Sequence, residues 1–193
     1  MSRITPLEPP YDPEIGTALR RWMPPGVTHA PLSLFRVLHR EPELASRMRV
    51  LGAGLLAHGR LSGADRETVI ARVCARAGCG YEWGVHIVSF ARSVGLTEGQ
   101  ISASAGGGAD DVAWTPRQRT LVRAVDELHD TARLSDAAWD ALTGLYDEAE
   151  LLEFLVLAGW YRAIAQLANA LRLDGEPWAE PMPAGPWPPS APR

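Results

Sequence analysis

Apolar residues recur at spacings of three and four along most of the chain, and nowhere do they alternate with polar residues between hairpin turns. An all-α fold is predicted. Ahead of the break at Pro24-Pro25-Gly26 the helical pattern is confined to about residues 12–23, where Asp12 can cap a helix and Pro13 suits its first position, since an N–H is not needed there. Beyond the break, residues 31–40 carry Leu34, Phe35 and Leu38 in helical register. Pro42 then opens a helix with Leu44, Met48, Leu51, Leu55 and Leu56 in register, which Gly59 ends.

Ser62 ahead of Ala64-Asp65-Arg66-Glu67 is a helix start, because a hydroxyl and early carboxylates suit the positive end of the peptide dipoles. That helix is expected to reach about residue 77, with Val69, Ile70, Val73 and Cys74 as its core stripe. Gly78 and Gly80 flank Cys79 and imply a sharp turn. Helical periodicity resumes over residues 81–94 through Val85, Val88 and Phe90, until Gly95. Thr97 caps a short piece through Ile101, and residues 105–111 read as a flexible loop. Thr115-Pro116 and Ser135-Asp136 start two further helices, the second carrying Trp139, Leu142 and Leu145. Residues 147–173 read as one long helix, apolar on more than one face, as suits the middle of a bundle.

This divides the chain into a Pro-rich N-terminal arm with one short helix (1–30), a helical domain (31–175) and a Pro-rich C-terminal tail (176–193). Trp178 and Trp187 in the tail are candidates to dock on a neighbouring surface. A chain of 193 residues buries about 70% of the surface it exposes when unfolded, enough for one full core.

Composition narrows the function. The balance of 46% hydrophobic and 22% charged residues, with a net charge of −4, is that of a globular protein. All 19 basic residues are Arg and none form a basic run, so no nucleic-acid partner is expected. The N-terminus has no secretory pattern, and no uninterrupted apolar run approaches the roughly 20 residues of a membrane span. A cytoplasmic location and no membrane partner are therefore expected. Cys74 and Cys79, five apart, fit neither a disulfide framework nor a zinc hairpin, so both are expected as free thiols.

The chemistry concentrates in Arg66-Glu67 and, after eleven intervening residues, Cys79-Gly80-Tyr81-Glu82-Trp83-Gly84-Val85-His86. On a helix starting near Cys79, that thiol, Glu82 and His86 stand at i, i+3 and i+7 and share one face, and Glu67 can meet them across a helical hairpin. A carboxylate beside an imidazole raises its basicity and fixes its tautomer, while a thiol at a helix N-terminus has its thiolate favoured. The plainer readings are a surface ion pair for Glu82 and His86, a first-turn dipole partner for Glu67 and a small core residue for Cys79. No HExxH helix or ligand-rich second segment accompanies the four, so neither metal nor cofactor is expected.

These residues resemble the carboxymuconolactone decarboxylase and alkylhydroperoxidase D group, whose motif is a Glu, a Cys twelve positions on, then Cys and His three and seven beyond it. Glu67, Cys79 and His86 match; Glu82 stands where the peroxidase branch has its second Cys. Together with Ser135–Trp139 and Trp160-Tyr161, the motif is similar to a decarboxylase-like branch over roughly residues 40 to 175. The resemblance implies an alkylhydroperoxidase D-like bundle with a six-helix core, in a homo-oligomer (dimer, trimer or hexamer) with active sites near subunit contacts.

Two-cysteine peroxide reduction needs a resolving thiol, which Glu82 cannot be. Catalytic roles are therefore expected for Glu67, Cys79, Glu82 and His86, and pocket roles for Tyr81, Trp83, Trp160 and Tyr161. The expected activity is cofactor-free acid/base chemistry on a small organic acid, lactone or enone, by decarboxylation, isomerisation or elimination. The alternatives are a single-cysteine thiol peroxidase and a non-catalytic helical oligomer that binds a ligand or partner.

Overall fold

The computed structural model describes residues 2–24 and 26–184, and all regular structure among them is helical. The helices are α1 (Pro13–Trp22), α2 (Ser33–Leu38), α3 (Pro42–Ala57), α4 (Gly63–Arg76), α5 (Gly80–His86), α6 (Glu98–Gly106), α7 (Pro116–Thr131), α8 (Asp136–Thr143) and α9 (Glu148–Leu171), with a π-helical stretch, Ile87–Ala91, directly after α5. Most starts are capped as the sequence implied. Asp12 accepts from Glu14 N–H and Ser62 from Asp65 N–H, and Thr97/Gln100, Thr115/Gln118 and Asp147/Glu150 form reciprocal capping boxes.

The bundle is built around α4, which packs against α5, α6, α7 and α9. Ten of its 14 residues are buried, among them three charged ones. Each of the three has a partner on another element: Asp65 accepts from Arg117 Nε of α7 at 2.7 Å, Glu67 meets His86 of α5, and Arg72 donates from Nε and Nη2 to Asp126 of α7, both at 2.7 Å. Arg72 Nη1 also donates to the carbonyls of Ser104 and Gly107, so one buried guanidinium ties α4, α6 and α7 together. Around these ties one apolar cluster runs from Leu34 through Val69, Ile70, Leu121 and Phe154 to Ala168.

Two local expectations are corrected. The helix after Cys79 is not one α-helix through residue 94: the wider π turn rotates its register, so that Ile87 and Ala91 are buried and Val88 is 44% exposed. α6 runs to Gly106, five residues beyond Ile101, because Ala103, Ser104 and Ala105 find burial against the core. On α8 Leu142 is buried, whereas Trp139 and, just past the helix end, Leu145 lie out on the surface. By length and composition alone α9 could cross a membrane, although its apolar residues are interrupted by charged and polar ones. Its buried residues, including Phe154, Leu157, Tyr161 and Ile164, pack in the bundle core.

Both termini are tied down over the described residues. Arg3 N–H donates to Leu171 and Leu7 N–H to Arg36, and Arg36 reaches Glu8 at 2.7 Å. At the other end, Glu176 Oε1 accepts from Ser33 N–H and Tyr81 Oη, Trp178 stacks on His29 at 4.2 Å, and Glu180 pairs with Arg92 at 2.7 Å. Glu180 N–H also donates to Gly84, and a Cβ on Gly84 would lie 2.1 Å from the Glu180 carbonyl, so only glycine admits this crossing. Trp187 lies outside the described residues.

Removing one member of a buried ion pair leaves the other uncompensated, at about 3–5 kcal/mol. Arg72→Met is expected to lower stability by an amount in that range, measured by urea unfolding followed by circular dichroism; unchanged stability would mean that the pair does not hold α4 to α7.

Candidate active site

The site forms where α4 meets α5. α4 ends at a tight turn in which Gly78 has φ +62 and Cys79 N–H donates to the carbonyl of Cys74 at 2.8 Å. The left-handed backbone at Gly78, which a side chain disfavours, reverses the chain so that α5 runs back along α4. Glu67 and His86, nineteen residues apart, then stand side by side.

His86 Nδ1 is 2.8 Å from Glu67 Oε2, and His86 Nε2 is 3.5 Å from Glu82 Oε1. Both ring nitrogens therefore face carboxylates. The other Glu67 oxygen accepts from Arg66 Nε at 3.1 Å. Glu67 is 0% and His86 3% exposed, so this carboxylate and imidazole have exchanged water for each other. Tyr161 of α9 meets the His86 ring edge-on at 4.9 Å, and Phe90, brought round by the π turn, lies 5.1 Å away on a tilted plane. Glu82 is 7% exposed, and its second oxygen, Oε2, is buried with no hydrogen bond among the described residues.

Burial alone would drive His86 to the neutral form. The Glu67 carboxylate opposes this by charge and by its hydrogen bond, Glu82 adds to it, and the pKa is raised from 6.5 to about 9. At neutral pH the ring is then an imidazolium with an N–H toward each carboxylate.

Cys79 precedes the first residue of α5, as expected, but its thiolate is not favoured there. Burial is the largest influence and pushes the thiol up to about 12; the N–H groups of Glu82 and Tyr81 pull the other way, and the Glu82 carboxylate pushes it further up. Cys74 is likewise buried, with its pKa held well above the usual thiol range by burial and by Cys79. Both cysteines are free.

Of the four residues expected to line a pocket, the structure brings Tyr161 to the imidazole and directs the other three elsewhere. Trp83 is fully buried and donates from Nε1 to Ser104 Oγ at 3.0 Å, which places it in the core beneath α6 rather than at a pocket wall. Tyr81 Oη donates to Glu176 and accepts from Leu34 N–H, fastening α2 and the C-terminal segment. Trp160 packs against Gly52 of α3, 3.2 Å from where a Cβ would stand. Arg66 and Phe90 had no assigned role in the sequence reading. Arg66 was visible as the cation beside Glu67, but the position of Phe90 depends on the π turn. Among the described residues no group of three or more His, Cys, Asp or Glu has the arrangement of a metal site.

Residues 42–127 match the sequence profile of the carboxymuconolactone decarboxylase family. Over that stretch the chain is similar to the family. Its fold is the AhpD-like helical bundle, as the solved structures similar to it make plain. A protein of unknown function from Agrobacterium tumefaciens, described as a candidate antioxidant defence protein AhpD, is 19% identical over 72% of this chain and 94% of its own, with a TM-score of 0.66. The debrominase Bmp8, in a cysteine-to-alanine form bound to 2,3,4-tribromopyrrole, is 15% identical over 92% of this chain and 94% of its own, with a TM-score of 0.76. An uncharacterised peroxidase-related protein from Silicibacter sp. TM1040 is 14% identical over 91% of this chain and 93% of its own, also at 0.76. No curated protein matches the sequence significantly. In this chain, therefore, the two helices that carry the motif set a histidine between two glutamates.

Because the fold raises the pKa of His86 from 6.5 to about 9, its charged form contributes stability that is fully present below pH 6.5 and is lost as the pH rises through about 9. The stability advantage of the native chain over His86→Gln is expected to be greatest near pH 6 and to shrink steadily toward about pH 9, in urea unfolding across that range. An advantage independent of pH would show that His86 carries no extra proton in the fold.

Proposed function

We propose that this protein is an enzyme that moves protons on a small organic acid, lactone or enone without a cofactor, in a decarboxylation, isomerisation or elimination beside a carbonyl. The observation that carries the proposal is the buried Glu67–His86–Glu82 array, in which an imidazolium lies between two carboxylates and one oxygen of Glu82 remains free to accept a proton. Glu67 holds the ring through Nδ1 and keeps it charged. Nε2–H is then the proton available to a substrate oxygen or carbon, and Glu82, the most exposed of the three, takes up a proton from carbon or returns one. In an isomerisation or elimination the proton that Glu82 takes from carbon restores the one His86 gives up, and in a decarboxylation the proton given to the carbanionic centre is restored from water by way of Glu82. Tyr161 and Phe90 supply the apolar walls that exclude water from the ring.

The same reading extends to assembly. Val50 and Leu51 of α3 and Leu152 and Val156 of α9 are exposed apolar residues, suited to contact with a second copy in a homo-oligomer.

A thiol peroxidase using Cys79 alone is the competing reading, and its support is the antioxidant and peroxidase-related descriptions of proteins that share the fold. The debrominase with this fold was likewise studied with a cysteine replaced. Against a thiol mechanism, Cys79 is 0% exposed and its pKa is pushed up to about 12, the reverse of an activated thiol.

Two measurements separate these readings. A panel of γ-lactones and β,γ-unsaturated carboxylic acids incubated with the protein in D2O and followed by proton NMR is expected to reveal exchange at the α-carbon or loss of carbon dioxide. Glu82→Gln and His86→Ala, if folded, should reduce that rate by roughly 100-fold or more. Undiminished turnover in both variants would overturn the acid/base reading. In millimolar peroxide, Cys79 of the native chain is expected to remain reduced by mass spectrometry, whereas rapid conversion to a sulfenic acid would favour the peroxidase.

A further inference from the structure

Away from His86, α4, α7 and α9 enclose a groove of about 340 Å³, within the size range of small-ligand sites. Its walls are Val73, Val125, Leu128 and Leu155, and its polar edge is His129 and Arg162. On α9, Leu155, Ala158, Gly159 and Arg162 follow one another at i, i+3, i+4 and i+7 and share one face, whereas the adjacent Tyr161 turns to His86. The groove is therefore separate from the proposed active site, although the two share helices.

Its electrostatics are specific. The Arg162 Nη1 atom contacts His129 Nδ1 and lies 3.2 Å from Nε2, and no carboxylate pairs with Arg162 among the described residues. The nearby acids are otherwise engaged: Asp126 with Arg72 and Arg76, Asp130 with Arg76, and Glu127 with Ser135. A guanidinium without an anion, at the end of an apolar trough, complements a molecule that is anionic at one end and apolar along its length. Gly159 leaves space on the α9 side, since a Cβ there would meet nothing within 4 Å.

We propose that this groove binds a small amphipathic monocarboxylate, its carboxylate paired with the Arg162 guanidinium and its apolar body along Val73, Val125, Leu128 and Leu155. A carboxylate accepts two parallel N–H bonds from a guanidinium, which gives direction as well as attraction, and the apolar walls contribute in proportion to the ligand surface they cover. This assignment does not depend on the acid/base reading of His86.

The test is isothermal titration of the full chain with octanoate, and with 1-octanol as the uncharged control. Octanoate is expected to bind saturably at one site per chain, and 1-octanol more weakly by about tenfold or more. Arg162→Gln should weaken octanoate by a similar factor, and Gly159→Leu, which fills the groove while meeting no neighbour at its Cβ, should abolish binding with the thermal unfolding transition retained. Absence of saturable octanoate binding, or equal affinity in the native chain and Arg162→Gln, would overturn the proposal. So would self-association of the ligand-free chain that both substitutions disperse in sedimentation, since the occupant would then be a second copy.

Discussion

The hydrogen bond between His86 Nδ1 and Glu67 Oε2 is the interaction on which the site depends. A carboxylate with no exposed surface is strongly unfavourable unless it is paired, and Glu67 finds its partners in the imidazole of the next helix and in the neighbouring Arg66. That requirement fixes the approach of α5 to α4, which in turn depends on the left-handed turn at Gly78. It also determines what His86 is. A buried histidine is ordinarily neutral, and this one is held as a cation by the charges on either side of it.

The exchange of a thiol for a carboxylate at position 82 has consequences beyond the loss of a resolving cysteine. Glu82 adds negative charge near Cys79, which disfavours its thiolate, and beside His86, which favours the imidazolium. Glu82 thus disfavours a thiolate at Cys79 and favours a cation at His86 through the same electrostatic field. Two features of the surroundings act in the same direction: Cys79 is packed where no solvent reaches it, and the ring is bordered by Tyr161 and Phe90 rather than by water. The scaffold beneath is held by other buried pairs, chiefly Arg72 with Asp126, so the fold does not rely on the reactive group alone.

Much of this was legible in the sequence, for local reasons. Capping residues such as Ser62, Thr115 and Asp147 bond to backbone within three residues, so the helix starts could be read directly. The juxtaposition of Glu67 with His86 followed from helical spacing and one glycine turn. What escaped were features set by distant neighbours. The π turn after His86 has no local signature of its own, yet it sends Val88 outward and Phe90 to the imidazole. Trp83 was assigned to a pocket wall on residue type, whereas its indole N–H is satisfied by Ser104, twenty-one residues away in the core. The state of Cys79 depended on a contest between helix start and burial that only coordinates could decide.

The central claim, that His86 is a buried cation between Glu67 and Glu82, is tested most directly by nitrogen NMR of the imidazole across pH. The account predicts that both ring nitrogens are protonated at pH 7, that the ring titrates near pH 9, and that the transition moves down toward 6.5 or below in Glu67→Gln. A single neutral tautomer at pH 7, titrating below 6.5 in the native chain, would contradict it.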